Sequence, residues 1–151
     1  MDETDRQIIT QLQQDSRQSF HKIANKTGIS IGTVFNRVKA LENNGVLKGY
    51  TVMLDSVKVG YDLTAITLMQ SESGHLAEVE NEIAKAPNVI AVYELLGDYD
   101  AAIISKSKDL GDLNGFIKDV LANPFVRRTY TTIALNIVKE NPQVSLLKSS
   151  E

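Results

Sequence analysis

The 151-residue sequence contains no cysteine, only two histidines and no apolar run long enough to span a bilayer. Without cysteine the chain has no disulfide, thiolate nucleophile or cysteine–zinc site. His21 and His75 lie far apart without an acidic ligand cluster, which favours surface positions over metal binding. No stretch approaches the roughly 18–20 apolar residues of a transmembrane helix, and the N-terminus lacks a secretory apolar region, so we expect a cytoplasmic protein.

Signatures of catalysis are also missing. The chain has no phosphate-binding loop, no GxSxG nucleophile motif and no paired-carboxylate arrangement. The sequence therefore predicts a protein that is not an enzyme and that uses neither a metal nor a cofactor. Its length allows one domain or two small ones.

Residues 19–43 form the most informative pattern and predict two short helices joined by a tight turn. Ser19 and Ser30 are expected to cap the helices, and Gly28 supplies the left-handed conformation of the turn between them. The buried stripe of the second helix follows the spacing i, i+4, i+7, at Val34, Val38 and Leu41. The pattern predicts a helix-turn-helix and makes double-stranded DNA the expected partner.

A different face of the second helix is predicted to enter the DNA major groove. Its residues are small or polar: Thr33, Asn36, Arg37 and Ala40, with Gly32 and the cap Ser30 beside them. Arg37 is the expected base-reading residue, because a guanidinium can bond guanine O6 and N7 together. The alternative for Arg37 is a surface residue that pairs with Glu42 or covers the core.

Longer cations near the motif are expected to contact phosphates rather than bases, at Arg17, Lys22, Lys26 and Lys39. Between residues 17 and 48 the chain has six basic residues and one acidic residue, a net charge of +5. The other ten basic and eighteen acidic residues give the remainder a net charge of −8. Such a distribution can direct DNA to one end of the molecule.

The N-terminal domain is predicted as three helices over 3–14, 20–26 and 31–43, a winged-helix-like unit that ends near residue 48. Residues 46–55 are predicted to form a strand leaving it, and residues 49–62 are predicted as a strand linker. A polar tail over 141–151 is expected to lie loosely on the surface, although Val144, Leu146 and Leu147 could pack.

The second half, residues 63–140, alternates strand and helix patterns in the order β-α-β-β-α-β. Strands are predicted at 63–70, 89–96, 101–106 and 126–138, and helices at 76–83 and 110–121. This order is typical of a ferredoxin-like sandwich, so the fold class is α+β. Both faces of the first and last strands are fairly apolar, while the helices cover only one. We therefore expect a homodimer through the open face, which would space two recognition helices for paired DNA half-sites.

The chain resembles the Lrp/AsnC (leucine-responsive/asparagine regulator, or feast/famine) family of transcription regulators along nearly its whole length. The resemblance rests on motifs in a fixed order: Asp2-x-x-Asp5-x-x-Ile8-Ile9-x-x-Leu12, Asp15-Ser16-Arg17, Gly28-Ile29-Ser30, Arg37-Val38-x-x-Leu41-Glu42, Gly45-Val46-Leu47, Gly97-Asp98-Tyr99-Asp100 and Thr131-Thr132. Lys22 departs from the family pattern, since many relatives have an acidic partner for the capping serine there.

The resemblance implies a C-terminal domain that senses an effector and dimerises, with amino acids bound between dimers that assemble into octamers. It places the effector at Gly97, Asp98, Tyr99 and Asp100, next to Thr131 and Thr132. Without the resemblance, the same glycine–aspartate stretch would be read as an ordinary hairpin turn. Turn amides could hold an α-carboxylate, and an aspartate could hold an α-ammonium group.

Two other functions remain open from the sequence. The chain could be a small-molecule-sensing oligomer whose helical unit is only structural, or a non-specific DNA-organising protein. The basic segment argues against the first of these, and the acidic remainder argues against the second. The expected function is a sequence-specific transcription regulator that responds to an amino acid.

Overall fold

The structure is a computed structural model that describes residues 1–146. The chain divides into two compact units, one of residues 1–52 with residues 139–146, and one of residues 53–138. The helices of the first unit are α1 (Glu3–Gln14), α2 (Phe20–Thr27) and α3 (Ile31–Asn43). The second unit contains β1 (Leu63–Ser71), α4 (Leu76–Ile83), β2 (Val89–Glu94), β3 (Ala101–Ser107), α5 (Leu110–Ala122) and β4 (Val126–Ile133), after one 3-10 turn at Val57–Val59.

Each helix of the first unit begins at a polar cap. The Asp2 carboxylate accepts a hydrogen bond from the Asp5 backbone N–H at 2.9 Å, and the Asp5 carboxylate accepts one from the Asp2 N–H at 3.0 Å. Ser19 and Ser30 cap α2 and α3 without the reciprocal bond, because their hydroxyls accept from the Lys22 and Thr33 backbone N–H groups. Gly28 ends α2 with φ at 71°, a left-handed conformation that glycine adopts without steric cost. The predicted helix-turn-helix is therefore confirmed.

One small core holds these three helices together. It consists of buried apolar side chains from all three, Ile8, Leu12, Ile23, Ala24, Val34 and Val38, with Phe20, Ile29 and Leu47 packed against them. Because α3 contributes only one stripe to this core, its opposite face is left to solvent.

The predicted strand over residues 46–55 is wrong. After Gly45, the backbone N–H groups of Val46 and Leu47 both donate to the Leu41 carbonyl, which closes the end of α3. Residues 49–55 have no regular structure, and Val52, Met53 and Leu54 are exposed. Within residues 1–146 no neighbouring strand pairs with this segment, so its apolar residues have no ladder to join.

The second unit is a four-stranded antiparallel sheet in the order β2-β3-β1-β4, which confirms the ferredoxin-like prediction. Helices α4 and α5 pack on one face of the sheet over a core that includes Met69, Val79, Ile103 and Phe116. β4 ends at Ile133 rather than at the predicted residue 138. The Ala134 N–H still bonds the Thr64 carbonyl, but β1 begins at Leu63 and offers no partner further on.

The other face of the sheet is open in a single chain. Cross-strand pairing places Ile66, Leu68, Ile104, Tyr93 and Tyr130 on this open face. Tyr93 and Tyr130 are more than half exposed. β1 alternates between the two faces, because Ala65, Thr67 and Met69 are buried beneath the helices while Ile66 is exposed.

Candidate DNA-binding surface and effector cavity

The exposed face of α3 is centred on Asn36. Successive residues of an α-helix are about 100° apart, so Asn36 lies roughly opposite the buried Val34. Gly32, Thr33, Asn36, Lys39 and Ala40 are all exposed. At the start of the helix, the Ser30 hydroxyl accepts from the Thr33 N–H at 3.1 Å and pairs with the Thr33 hydroxyl at 2.8 Å. The surface offers short side chains, an amide and a cation, which suits close approach to base edges.

Arg37 does not share this face as the sequence predicted. It follows Val34 by three residues and so lies about 60° from the buried stripe, at the border with α1. Its Nη1 atom contacts the Asp2 carboxylate at 2.9 Å and the Asp5 carboxylate at 3.4 Å. The alternative of a pair with Glu42 is also not observed, because Glu42 instead accepts a hydrogen bond from the Tyr50 hydroxyl at 2.9 Å. A base contact by Arg37 stays a prediction. To make it, the side chain would have to leave the carboxylates of Asp2 and Asp5.

The capping box and Arg37 together affect the ionisation of Asp2. The Asp5 backbone N–H, and after it the Arg37 guanidinium, hold the pKa of the Asp2 carboxyl below its usual range. A lowered pKa means that the ionised carboxylate stabilises the folded unit above about pH 4, and that this stabilisation is lost as the pH falls through the folded-state pKa.

We therefore expect Asp2→Asn to lower the urea midpoint of unfolding at pH 7, and to lower it less at pH 2. Asparagine keeps the capping acceptor and removes only the charge, so the two proteins should differ where Asp2 is ionised and converge where it is protonated. Circular dichroism at 222 nm measures both transitions. A difference of equal size at both pH values would show that the charge contributes nothing.

Phe35 is a surface residue that the sequence did not indicate. Its side chain is about half exposed, and its ring meets Phe20 edge to face with centroids 6.0 Å apart. Ile31, one turn earlier, is also half exposed. The i, i+4 spacing of these two apolar residues beside the polar face was the available signal. Ile31 and Phe35 form an apolar border beside the exposed face of α3, which suits contact with a thymine methyl group.

The cations expected to contact phosphates are all on the surface. Lys22, Lys26 and Lys39 are exposed, and Arg17 is almost fully exposed, with its Nε 3.9 Å from the Asp15 carboxylate. Tyr50 follows α3, and partial burial followed by its bond to Glu42 raises the pKa of its phenol. This hydrogen bond attaches the start of the linker to the end of α3.

The turn over Gly97–Asp100 connects to β1 through the backbone. Gly97 has φ at 152°, and the Asp100 N–H donates to the Met69 carbonyl at 2.9 Å. The Asp100 carboxylate accepts from the Ser71 N–H at 2.8 Å, while the Asp98 side chain is exposed and its carbonyl accepts from the Gln70 amide. Asp100 is therefore partly a structural residue, whereas the Asp98 carboxylate is available to a ligand.

The structure does not bring Thr131 and Thr132 to this turn within one chain. Thr131 lies opposite Thr67 on the helix-covered face, with the two hydroxyls 3.0 Å apart. Thr132 lies opposite Ile66 on the other face and donates to the Ile66 carbonyl at 3.4 Å. Adjacent residues of a strand point to opposite faces, so one cavity in this chain cannot use both side chains.

The β4 residues found beside the Gly97–Asp100 turn are two arginines, not the predicted threonines. Arg128 lies opposite Gln70, and its guanidinium is 5.4 Å from the centre of the Tyr99 ring, a cation–π contact. Arg127 lines a cavity of about 460 Å³ together with Gln70, Gly74, Asp98 and Asp100. Neither arginine was predicted from the sequence, although two consecutive cations at the start of the last strand were a usable signal.

A larger cavity, of about 680 Å³, lies between α4 and α5 over the apolar residues Ile83, Phe116 and Val120. Two of its acidic residues already have partners: Glu82 accepts from the Asn123 side chain at 2.6 Å, and Asp112 accepts from the Lys108 N–H at 2.9 Å. The smaller cavity has the more suitable chemistry for a zwitterion, because it combines an exposed carboxylate with an arginine.

Other kinds of site receive no support from the described part of the chain. Among residues 1–146, no three histidine, cysteine, aspartate or glutamate side chains are grouped so that they could hold a metal ion. Over the same residues, no helix has the length and hydropathy needed to cross a membrane.

A helix-turn-helix joined to a ferredoxin-like domain with a polar cavity defines a DNA-binding regulator with a ligand-binding domain. Two family models match this division: winged helix-turn-helix DNA-binding over residues 1–48, and the Lrp/AsnC ligand-binding domain over residues 64–144. The chain belongs to the Lrp/AsnC family of transcription regulators, which are not enzymes.

Relatives of similar length support this assignment. An uncharacterised HTH-type transcriptional regulator of Pyrococcus furiosus is 42% identical over 141 residues, which cover 93% of this chain and 95% of that protein. The HTH-type transcriptional regulator FL11 of Pyrococcus horikoshii is 33% identical, with 97% of each chain covered.

Solved structures show the same fold. An AsnC family regulator from Agrobacterium tumefaciens has a TM-score of 0.88 at 26% identity, with 95% of this chain and 96% of that chain covered. A Neisseria meningitidis transcriptional regulator, solved as a complex with L-Met, has a TM-score of 0.85 at 22% identity, with 95% and 96% covered. At that identity the second likeness concerns the fold alone.

Proposed function

We propose that the protein binds specific DNA sequences as a dimer, through the exposed face of α3, and that an amino acid bound beside the Gly97–Asp100 turn changes this binding. The observation that carries the DNA-binding part is the position of Asn36 opposite the buried stripe of α3, with Gly32 and Lys39 exposed around it. The net charge of +5 on residues 17–48 supports the same surface.

In this proposal Asn36 reads bases and the surrounding cations bind phosphates. An asparagine amide can bond adenine N6 and N7 together, whereas Arg37 is already held by Asp2 and Asp5. Arg17, Lys26 and Lys39 supply charge without sequence information, and the Ser30–Thr33 end of α3 offers backbone donors to a phosphate.

The open face of the sheet is the proposed dimer interface. Its exposed aromatic and aliphatic residues would leave water when two copies pack face to face, which is the main favourable term in such an association. Two copies related by a twofold axis would present two α3 helices to paired half-sites. We further propose that dimers assemble into a larger ring, of octamer size as the family resemblance implies.

The effector part of the proposal rests on the 460 Å³ cavity. Arg127 is suited to an α-carboxylate and Asp98 to an α-ammonium group, so the cavity has one charge for each end of an amino acid. The L-Met found with the Neisseria meningitidis regulator supports an amino acid as the ligand class. In one chain Thr131 and Thr132 lie elsewhere, and their contribution would require a second copy.

Selection of bound sequences from a random DNA pool, with and without a mixture of the twenty amino acids, tests the proposed function. Enrichment of a two-part motif that changes with amino acids supports it. Salt-dependent binding without enrichment would favour a DNA-organising protein, and amino-acid binding without DNA binding would favour a sensor.

The dimer interface gives a separate prediction. Tyr130→Glu should weaken dimerisation at least tenfold, because the glutamate would be buried without a partner when two sheets meet. Leu121→Glu is the matched control, since Leu121 is similarly exposed but lies on α5, on the other side of the sheet. Sedimentation equilibrium measures both dissociation constants. Equal constants for Tyr130→Glu and the unmodified protein would exclude the open face as the interface.

A further inference from the structure

The C-terminal segment, residues 139–146, packs with the DNA-binding unit and not with the sheet domain from which it emerges. The Gln13 side-chain amide on α1 donates to the Val144 carbonyl at 3.0 Å, across 131 positions of sequence. Leu146 is half-buried and lines a cavity of about 350 Å³ with Thr10 of α1 and Thr27 of α2. Residues 139–145 are exposed, as expected of a tail on the surface, and of the three residues that the sequence suggested could pack, Leu146 is half-buried, Val144 is exposed, and Leu147 lies outside the described residues.

This packing means that the chain joins the two units twice. One connection runs through residues 52–53, in the segment without regular structure, and the other through residues 138–139, after β4. A single irregular linker leaves two domains free to reorient. A second connection removes part of that freedom, because both ends of the sheet domain are then attached to the helical unit.

The helix that receives the segment also holds the recognition helix. Asp2 and Asp5 of α1 contact Arg37 of α3, while Gln13 at the other end of α1 binds the segment. The segment in turn begins six residues after β4, the strand on which Arg127 lies. A continuous series of covalent and packed connections therefore runs from the effector cavity to α3.

We propose that residues 139–146 act as a strap, which binds α1 and restricts the movement of the DNA-binding unit relative to the sheet domain. The strap raises the affinity of a dimer for two half-sites, because the second α3 helix meets its half-site at a higher effective concentration when its orientation is restricted. The inference rests on the proposed DNA-binding function, but the docking of the strap is tested without DNA.

Cross-linking tests the docking. The chain has no cysteine, so Gln13→Cys with Val144→Cys creates a single pair of thiols. A short bis-maleimide should join them within one chain, as read by mass analysis of the linked peptides. Lys39→Cys with Val144→Cys is the control pair, with its first thiol on the exposed face of α3. No product for the first pair, equal yields for both pairs, or a product only between chains would overturn a strap within one chain.

Truncation tests the role in DNA binding. A chain ending at Val138 should bind a two-half-site duplex about tenfold more weakly than a chain ending at Leu146, with equal binding to a single half-site. Circular dichroism and sedimentation establish that both chains fold and assemble alike. Equal two-site affinities would overturn the proposal.

Point variants keep the test decisive if the shorter chain fails to fold. Leu146→Ser should weaken two-site binding, while Val144→Ser should not, because the Val144 side chain is 74% exposed and only its backbone carbonyl binds α1. Equal effects of the two substitutions would contradict the strap. If no chain bound any DNA, the proposed function would fail, and the cross-linking result would still decide whether the segment is docked.

Discussion

Arg127→Ala and Asp98→Asn should each weaken amino-acid binding by about 1.5–3 kcal/mol, which is roughly 10- to 150-fold in the dissociation constant. Each substitution removes one of the two opposite charges that line the 460 Å³ cavity, and so leaves one end of a zwitterion without its partner. Titration calorimetry with the amino acid that binds the unmodified protein measures the loss. DNA binding without effector should be unchanged, because neither residue lies in the DNA-binding unit.

Two controls separate ligand binding from folding and from the other cavity. Asp100→Asn should lower the melting temperature, because the Asp100 carboxylate accepts the Ser71 backbone N–H. Lys85→Ala changes a residue of the larger cavity and should leave ligand binding intact. If Lys85→Ala abolished binding while Arg127→Ala did not, the effector would bind between α4 and α5. If none of the twenty amino acids bound the unmodified protein, the proposed effector class would be wrong.

Asn36→Ala should lower the affinity for the selected DNA sequence by about 1–3 kcal/mol without changing the urea midpoint of unfolding. The side chain is exposed at the centre of the outward face of α3, so its loss leaves no cavity in the core. Fluorescence anisotropy with the selected duplex and with one substituted half-site measures the affinity and the discrimination between them. Both should fall, because a base contact contributes only to the correct sequence.

Lys39→Ala and Arg37→Ala are the comparisons for Asn36→Ala. Lys39→Ala should weaken binding to both duplexes equally and reduce the salt dependence, as expected for a phosphate contact. Arg37→Ala should lower the urea midpoint, because the buried Asp5 carboxylate and the Asp2 cap lose their cationic partner. If Arg37→Ala reduced discrimination while Asn36→Ala did not, Arg37 would be the base-reading residue as the sequence predicted.

The helices were predicted well from the sequence, because helix caps and hydrophobic spacing depend on residues that are close together along the chain. Ser19, Gly28 and Ser30 fix helix ends through their own backbone and side-chain geometry, and the structure has them in those roles. The burial of Val34 and Val38 follows in the same way from helical spacing.

Two strand predictions were wrong, because the spacing of residues along the sequence does not show which strands pair with each other. Residues 46–55 are as apolar as a strand, and residues 134–138 continue the pattern of β4. Within residues 1–146, however, no strand pairs with the first segment, and the second passes the start of β1 after the Ala134 bond to Thr64. A strand exists only with its partner, which can be far away along the chain.

The sequence by itself determined the order of elements, the fold family and the position of the recognition helix, because capping, hydrophobic spacing and family motifs are carried by nearby residues. Only the tertiary structure decided the partners of individual side chains. It paired Arg37 with Asp2 and Asp5, and placed Arg127 in the cavity with Asp98. Such contacts join residues that are distant in sequence, and their geometry depends on how whole helices and strands pack together.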